Sequence, residues 1–201
     1  MQVIFDHHRK VGKASGGFRL SIENVLQVGF NIFRKSPGIF IIYGVISAIA
    51  FSNPVSGTLL AGPLIAGFYI VADRIRHNRK VELPDFFKSF DRFIPLFILN
   101  LLIGVVVFLG LLLLVVPGIY FAISYLFAHF FVWFYHEEPT EAIRLSRKMV
   151  SGNFGQILLL CLVLAGINFL GAIAFGVGLL LTIPFSYCVL YAAFDDIIGI
   201  P

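Results

Sequence analysis

The chain has 201 residues, 59% of them hydrophobic and 13% charged, with a mean hydropathy of +0.94. A soluble domain carries about 25% charge, so the soluble globular class is excluded. The formal charge of +4 does not indicate nucleic-acid binding, because the basic residues flank apolar stretches instead of forming a free face that neutralises phosphates.

Residues 1–20 read as a flexible cytoplasmic tail. Met1 to Gly17 is polar, with His7-His8-Arg9-Lys10, Lys13 and Ser15-Gly16-Gly17. No apolar core followed by a cleavage site is present, so no cleaved signal peptide is expected and the first span directs insertion. Two adjacent histidines lack the third ligand that a metal site needs, and solvation is the preferred reading.

From Ser21 to Lys35 the pattern becomes helical. Glu23, Gln27, Asn31 and Arg34 form a polar stripe, opposite Ile22, Val25, Leu26, Gly29 and Phe33. Ser36-Pro37-Gly38 breaks it. The charge-free stretch Ile39–Ala72 then gives one short span at Ile39–Phe51 and a second at Val55–Ala72, parted by Ser52-Asn53-Pro54. Asp73–Arg92 is the most charged segment. Its second half is amphipathic, with Phe86, Phe87, Phe90, Phe93 and Ile94 opposite Asp85, Lys88, Ser89 and Arg92. Pro95 is expected to end that helix and start the next.

Between Arg92 and Glu137 there is no Asp, Glu, Lys or Arg, and Val116-Pro117-Gly118 lies near the midpoint. The block has room for two spans of roughly 20 residues, Pro95–Val116 outward and Gly118–Tyr135 back, with Pro117 at the first position of the returning helix. After Tyr135, Thr140 is the expected N-cap of a third amphipathic helix over Glu141–Val150. Ser151-Gly152-Asn153 ends it. The charge-free stretch Phe154–Phe194 gives spans at Gln156–Phe175 and Leu179–Phe194, turning at Gly176-Val177-Gly178.

The predicted fold is therefore an all-α membrane protein of six transmembrane helices in three hairpins, each preceded by a cytoplasmic-side amphipathic interfacial helix. Residues 21–201 form one domain, written as three repeats over 21–80, 81–138 and 139–197, a pattern common among membrane transporters. With six spans every charged residue falls on one side, which the positive-inside rule makes cytoplasmic, with both termini inside.

Within the spans the polar candidates are few. No Asp, Glu, Lys or Arg lies at depth, which argues against an ion-coupled carrier. His129 shares a helical stripe with Ala122, Tyr125, Trp133 and His136. It reads either as a proton-sensitive or substrate-contacting group or, preferably, as a neutral hydrogen-bonded packing residue. Asn100 and Asn168 either bridge helices or line a path. Thr182 and Ser186 flank Pro184, where their hydroxyls are expected to satisfy backbone freed by the proline. Gly62 with Ala66, and Ala172 with Gly176, have the spacing of close helix contacts. Cys161 and Cys188 fall within spans and read as small packing residues. Arg74, Arg76, Arg79 and Lys80 form a juxtamembrane cluster that fixes topology and is a candidate contact for anionic lipid headgroups. No nucleophile arrangement, metal-spaced ligand set or phosphate-cradling loop stands out, so no enzyme activity and no cofactor is expected.

The motifs Gly62-Pro63-Leu64-Ile65-Ala66-Gly67, Val116-Pro117-Gly118-Ile119-Tyr120 and Glu141-Ala142-Ile143-Arg144-Leu145-Ser146, continuing at Val150-Ser151-Gly152-Asn153, resemble a group of uncharacterised bacterial multi-pass membrane proteins. The chain is also similar to the membrane domain fused to some glycerophosphodiester phosphodiesterases. The resemblance runs from Ser21 onward. It implies six helices in a bacterial cytoplasmic (inner) membrane, leaves no room for the phosphodiesterase domain, and transfers no catalytic residue. The expected role is a non-catalytic membrane- or lipid-associated scaffold or accessory factor. Its partners would be the lipid bilayer, anionic lipids, and a cytoplasmic-face protein or a second copy of the chain. The alternative is a passive channel or transporter for a small or lipid-like solute.

Overall fold

A chain in hydrocarbon must satisfy every backbone N–H and C=O within itself, and long charge-free sequence does so as helix. The computed structural model of the chain describes residues 2–173 and 176–200, with side chains from residue 8 onward. All regular structure among the described residues is helical: α1 Gln2–Ala14, α2 Ile22–Lys35, α3 Pro37–Phe51, α4 Pro54–Arg76, a 3-10 helix Leu83–Arg92, α5 Phe93–Leu113, α6 Val115–Ser124, α7 Ala128–Phe134, α8 Pro139–Ser151, α9 Phe154–Ile173 and α10 Leu179–Ile197.

Among the described residues five helical stretches are long and apolar enough to cross a membrane. They are Pro54–Arg76, Leu83–Leu113, Val115–Phe134, Phe154–Ile173 and Leu179–Ile197, and the pair α2 and α3, bent by 91°, adds a sixth if taken as one. Alone, the 15 residues of α3 rise about 22 Å, short of the roughly 30 Å of a hydrocarbon core.

Several boundaries differ from those expected. The segment read as a flexible tail is helical from Gln2 to Ala14. Val11 and Ala14, one turn apart, are buried, and α1 packs on α8; a helix edge with so few apolar residues finds its partner only in the folded chain. Pro95 does not end a helix. It sits in the first turn of α5, where the N–H it lacks would have no partner anyway. The turn expected at Pro117 falls at Leu114, which is extended (φ −160, ψ 142), so Pro117 lies in the first turn of α6. Thr140 is not the N-cap of α8; Glu138 takes that position with Pro139 following as first helical residue. The expected end of the fifth span, Phe175, lies outside the described residues.

The expected return span Gly118–Tyr135 is interrupted. Helix α6 stops at Ser124 and α7 starts at Ala128. Such a break strands backbone groups, and α8 supplies the remedy from a distance. The fully buried Ser146 donates its hydroxyl to the Ser124 carbonyl (2.8 Å) and accepts from the Phe127 N–H (3.2 Å). Helix α4 closes with a Schellman motif: Arg79 N–H donates to the Arg74 carbonyl and Asn78 N–H to the Ile75 carbonyl. Asn78 takes the left-handed conformation that this requires (φ 54), and Lys35 Nζ holds its side-chain oxygen at 2.7 Å.

Small residues let the helices approach. A side chain at Gly29 of α2 would fall 2.8 Å from the Val189 Cα of α10, and one at Gly110 of α5 would fall 2.9 Å from the Gly118 Cα of α6. The core between them is aromatic. Tyr43, Phe68, Phe86 and Tyr187 form one cluster, and Tyr69, Phe127, Phe130 and Phe194 a second.

Replacing Ser146 by alanine strands two buried backbone groups at once, a cost of about 1–3 kcal/mol. In detergent, S146A is expected to lower the thermal unfolding midpoint by about 2–10 °C. S151A, which removes an exposed hydroxyl from the same helix, should leave the midpoint unchanged. Equal midpoints for the two variants would remove Ser146 from this role.

Candidate functional site

Helix α10 separates two apolar cavities. The larger, about 450 Å³, lies between α3, α4 and α10, with Gly44, Ser47, Phe51, Phe68, Pro184 and Tyr187 in its lining. The second, about 340 Å³, lies between α9 and α10, with Cys161, Leu164, Asn168 and Ser186 among its residues. Ile183 and Tyr187, one turn apart on α10, belong to both linings. Apolar clefts with a few placed polar groups are the usual form of a small-molecule site.

The polar groups differ in how well they are satisfied. Asn168 Nδ2 donates to the Leu164 carbonyl (3.0 Å) and to Ser186 Oγ (2.9 Å), and Ser186 donates to the Thr182 carbonyl (2.8 Å). Asn168 Oδ1 and Thr182 Oγ1 are buried without a protein partner, and Ser47 Oγ, equally buried, lies beside the Tyr43 hydroxyl. Pro184 has no N–H to donate to the Leu180 carbonyl. The hydroxyls expected to compensate do not: Ser186 turns to Thr182, and Thr182 Oγ1 is unpaired.

The three polar span residues singled out by sequence are not brought together. Asn168 lines the α9–α10 cavity. Asn100 lies against Gly62 of α4, its Cβ 3.4 Å from where a glycine side chain would start. His129 is buried on α7 with Nε2 unpartnered; the stripe that would align it with Ala122 and Tyr125 is cut by the break between α6 and α7. Neither Asn100 nor His129 lines either of the two cavities. Ser47, Leu180 and Tyr187 escape sequence reasoning. The one signal for them is the small-residue face Gly44, Ser47, Ala48 at helical spacing, which has meaning only once α10 lies against it.

The charged residues gather at one end. Tyr191 donates to Asp73 Oδ1 (2.9 Å), Arg76 pairs with Asp195 (3.6 Å), and His8 lies 3.1 Å from Glu137. The Tyr135 hydroxyl donates to the Gly199 carbonyl. These contacts bring the C-terminal ends of α4, α7 and α10 together. Of the four expected lipid contacts, Arg74 is committed to Asp85, and Arg76 shares its charge with Asp195. Arg79 and Lys80 are exposed and have no carboxylate partner among the described residues.

Asp85 pins the 3-10 helix to α4. Burial alone would raise its carboxyl pKa, but the Glu82 N–H, Lys88 and the Arg74 guanidinium outweigh that and hold it below the ordinary value. Against these features no family model matches the chain, and neither a curated protein nor a solved structure matches it.

A carboxyl whose folded pKa is depressed adds stability above its unfolded value, and that stability is lost as pH falls through the folded value. Asp85 should therefore contribute fully above about pH 4 and lose its contribution below. Unfolding midpoints measured in acid are expected to fall less steeply for D85N than for the parent. Parallel acid limbs would show that Asp85 does not carry the linkage.

Proposed function

We propose that the chain is a multi-pass protein of a bacterial cytoplasmic membrane, with both termini inside. In this reading it acts as a non-catalytic, lipid-associated scaffold or accessory factor. Six spans form three hairpins, with α2, the 3-10 helix and α8 lying at the cytoplasmic interface. The observation that carries the proposal is the division of the molecule into two ends. Asp73, Arg76, Asp195, Tyr191 and the C-terminal ends of α4, α7 and α10 meet at one. The stretches furthest from them in sequence, at 49–55, 108–119 and 169–183, expose Ile49, Val55, Leu112, Val116, Phe169 and Val177.

Exposed apolar surface on that scale is what lipid covers. The positive-inside rule puts the charged end in the cytoplasm. Arg79 and Lys80, exposed beside the α4 end, suit anionic headgroups at about 1 kcal/mol each. Motif resemblance to bacterial multi-pass proteins points to the same membrane. The competing reading, a passive path for a lipid-like solute, draws on the Asn168 cavity; it requires flux in proteoliposomes that falls when Asn168 is replaced by leucine.

Reporter fusions at Ser52, Pro117 and Gly176 are expected outside, and those at Asn78 and Glu138 inside. A reporter at Asn78 found outside would overturn the six-span arrangement. Purified in mild detergent, the protein should retain anionic phospholipid, and R79E/K80E should weaken that retention by up to about 30-fold. Unchanged retention would remove the basic pair from lipid binding.

A further inference from the structure

Asn100 carries an amide without a partner on the least enclosed of the spans. It is the eighth residue of α5, about 10 Å along the axis from the first, and so within the apolar stretch. Its side chain has no hydrogen-bond partner among the described residues. It is half-buried, and its amide, unlike the Asn168 oxygen, keeps accessible surface. Only 17% of the apolar stretch in Leu83–Leu113 is buried, against 22% in Phe154–Ile173 and half or more in the other three. Leu96 and Leu99 fill the inner side of α5, whereas Leu101, Phe108 and Leu111 are exposed.

A second observation falls on the same face. A side chain at Gly29, Gly62, Gly67, Gly110 or Gly171 would lie under 3.0 Å from an atom of a neighbouring element or turn, so glycine in this chain marks close contact. Gly104, one turn after Asn100, is exposed, and a side chain there would meet nothing within 4 Å. Gly166 of α9 is open as well, but the amide nearest it in sequence, Asn168, turns inward to Ser186. Only on α5 do an open glycine and an unpaired, accessible amide share a face, which runs on through Leu101, Phe108 and Leu111 at helical spacing.

Lipid tails offer the amide neither donor nor acceptor, and leaving it unpaired in hydrocarbon is costly. A carboxamide carries both, so it pairs with another carboxamide. Every copy of the chain inserts with the same charged end inside. A two-fold axis along the membrane normal therefore sets two α5 helices in parallel, with Asn100 at the depth of Asn100 and Gly104 opposite Gly104. The glycine lets the axes approach until side chains as short as asparagine meet.

We infer that the outward face of α5 binds a second copy of the chain within the membrane, through reciprocal Asn100 hydrogen bonds beside a crossing at Gly104. The inference rests on the membrane reading above and adds to it a defined partner.

The test uses the full chain in vesicles of phosphatidylethanolamine and phosphatidylglycerol, diluted stepwise with lipid. Single cysteines are added along α5, with the parent chain as control for Cys161 and Cys188. Under mild oxidation G104C is expected to give a disulfide-linked dimer. I98C and L109C, exposed on the same helix but about 120° or more around it from Gly104, should not. Association is measured by energy transfer between copies carrying donor and acceptor fluorescent-protein tags. N100L should weaken it about three- to 30-fold, as loss of interhelical polar contacts does. N100Q, which keeps the amide, should weaken it less. G104L should weaken it as well, and G166L should leave it unchanged.

Equal crosslinking at residues 98, 104 and 109, energy transfer no greater than that of randomly mixed monomers, or association of N100L equal to that of the parent would overturn the inference. Should N100L fail to fold, the crosslinking pattern, which leaves Asn100 in place, decides alone. The topology reporters are read separately. A reporter at Asn78 found outside, with crosslinking at residue 104 retained, overturns the six-span reading and leaves the interface standing. Monomers with the expected reporter pattern lose the interface and keep the proposed function.

Discussion

Phe68 and Tyr69 are neighbours on α4 that point about 100° apart, and through them one helix holds two aromatic clusters together. Phe68 stacks on Tyr187 at 4.5 Å and meets the Tyr43 ring edge-on at 4.7 Å, while Tyr69 stacks on Phe130 at 3.9 Å. Between helices in lipid there is no hydrophobic driving force, because hydrocarbon is as apolar as the side chains. Association then depends on ring geometry, worth about 0.5–1.5 kcal/mol per pair beyond burial, and on close backbone contact. Both α3 and α10 register on α4 through these rings. The cleft between them inherits its inner wall from the same contacts, since Phe68 and Tyr187 are lining residues as well as core residues.

The second constraint is satisfaction of polar groups away from water. Where the structure breaks a helix, it supplies a partner: Ser146 bridges the gap between α6 and α7, Asn53 caps α4 through the Val55 N–H, and Arg92 donates to the Val132 carbonyl near the end of α7. The unpaired atoms do not share one place: Asn168 Oδ1 belongs to a residue lining the α9–α10 cavity, whereas Thr182 Oγ1 and His129 Nε2 belong to residues that line neither of the two cavities.

Much of the helical architecture was legible because charge-free length is a strong, local signal. The expected spans Val55–Ala72 and Leu179–Phe194 lie within α4 and α10, which extend further into the charged ends. What was not legible depends on distant residues. Ser124-Tyr125-Leu126-Phe127 contains neither Gly nor Pro, and the break there is stabilised by a serine nearly a full helix away. Helix α1 shows itself only where Val11 and Ala14 meet α8. Among candidate site residues, Asn168 was found and its cavity was not, because a cavity arises from the register of two helices and leaves no trace in either alone. His129 is legible as the one imidazole within an expected span, but the stripe assigned to it requires α6 and α7 to be continuous.

The two ends of the molecule place opposite demands on a ligand. At the charged end Arg74, Arg76, Asp73, Asp85 and Asp195 are already engaged with one another or with Tyr191. An entering molecule there would have to displace ion pairs whose separation leaves charge partly buried, which is costly. At the uncharged end the border of the cleft is apolar, and its inner wall is the stacked pair Phe68 and Tyr187. A molecule entering there displaces no ion pair, so shape against those rings, and not charge, decides what fits.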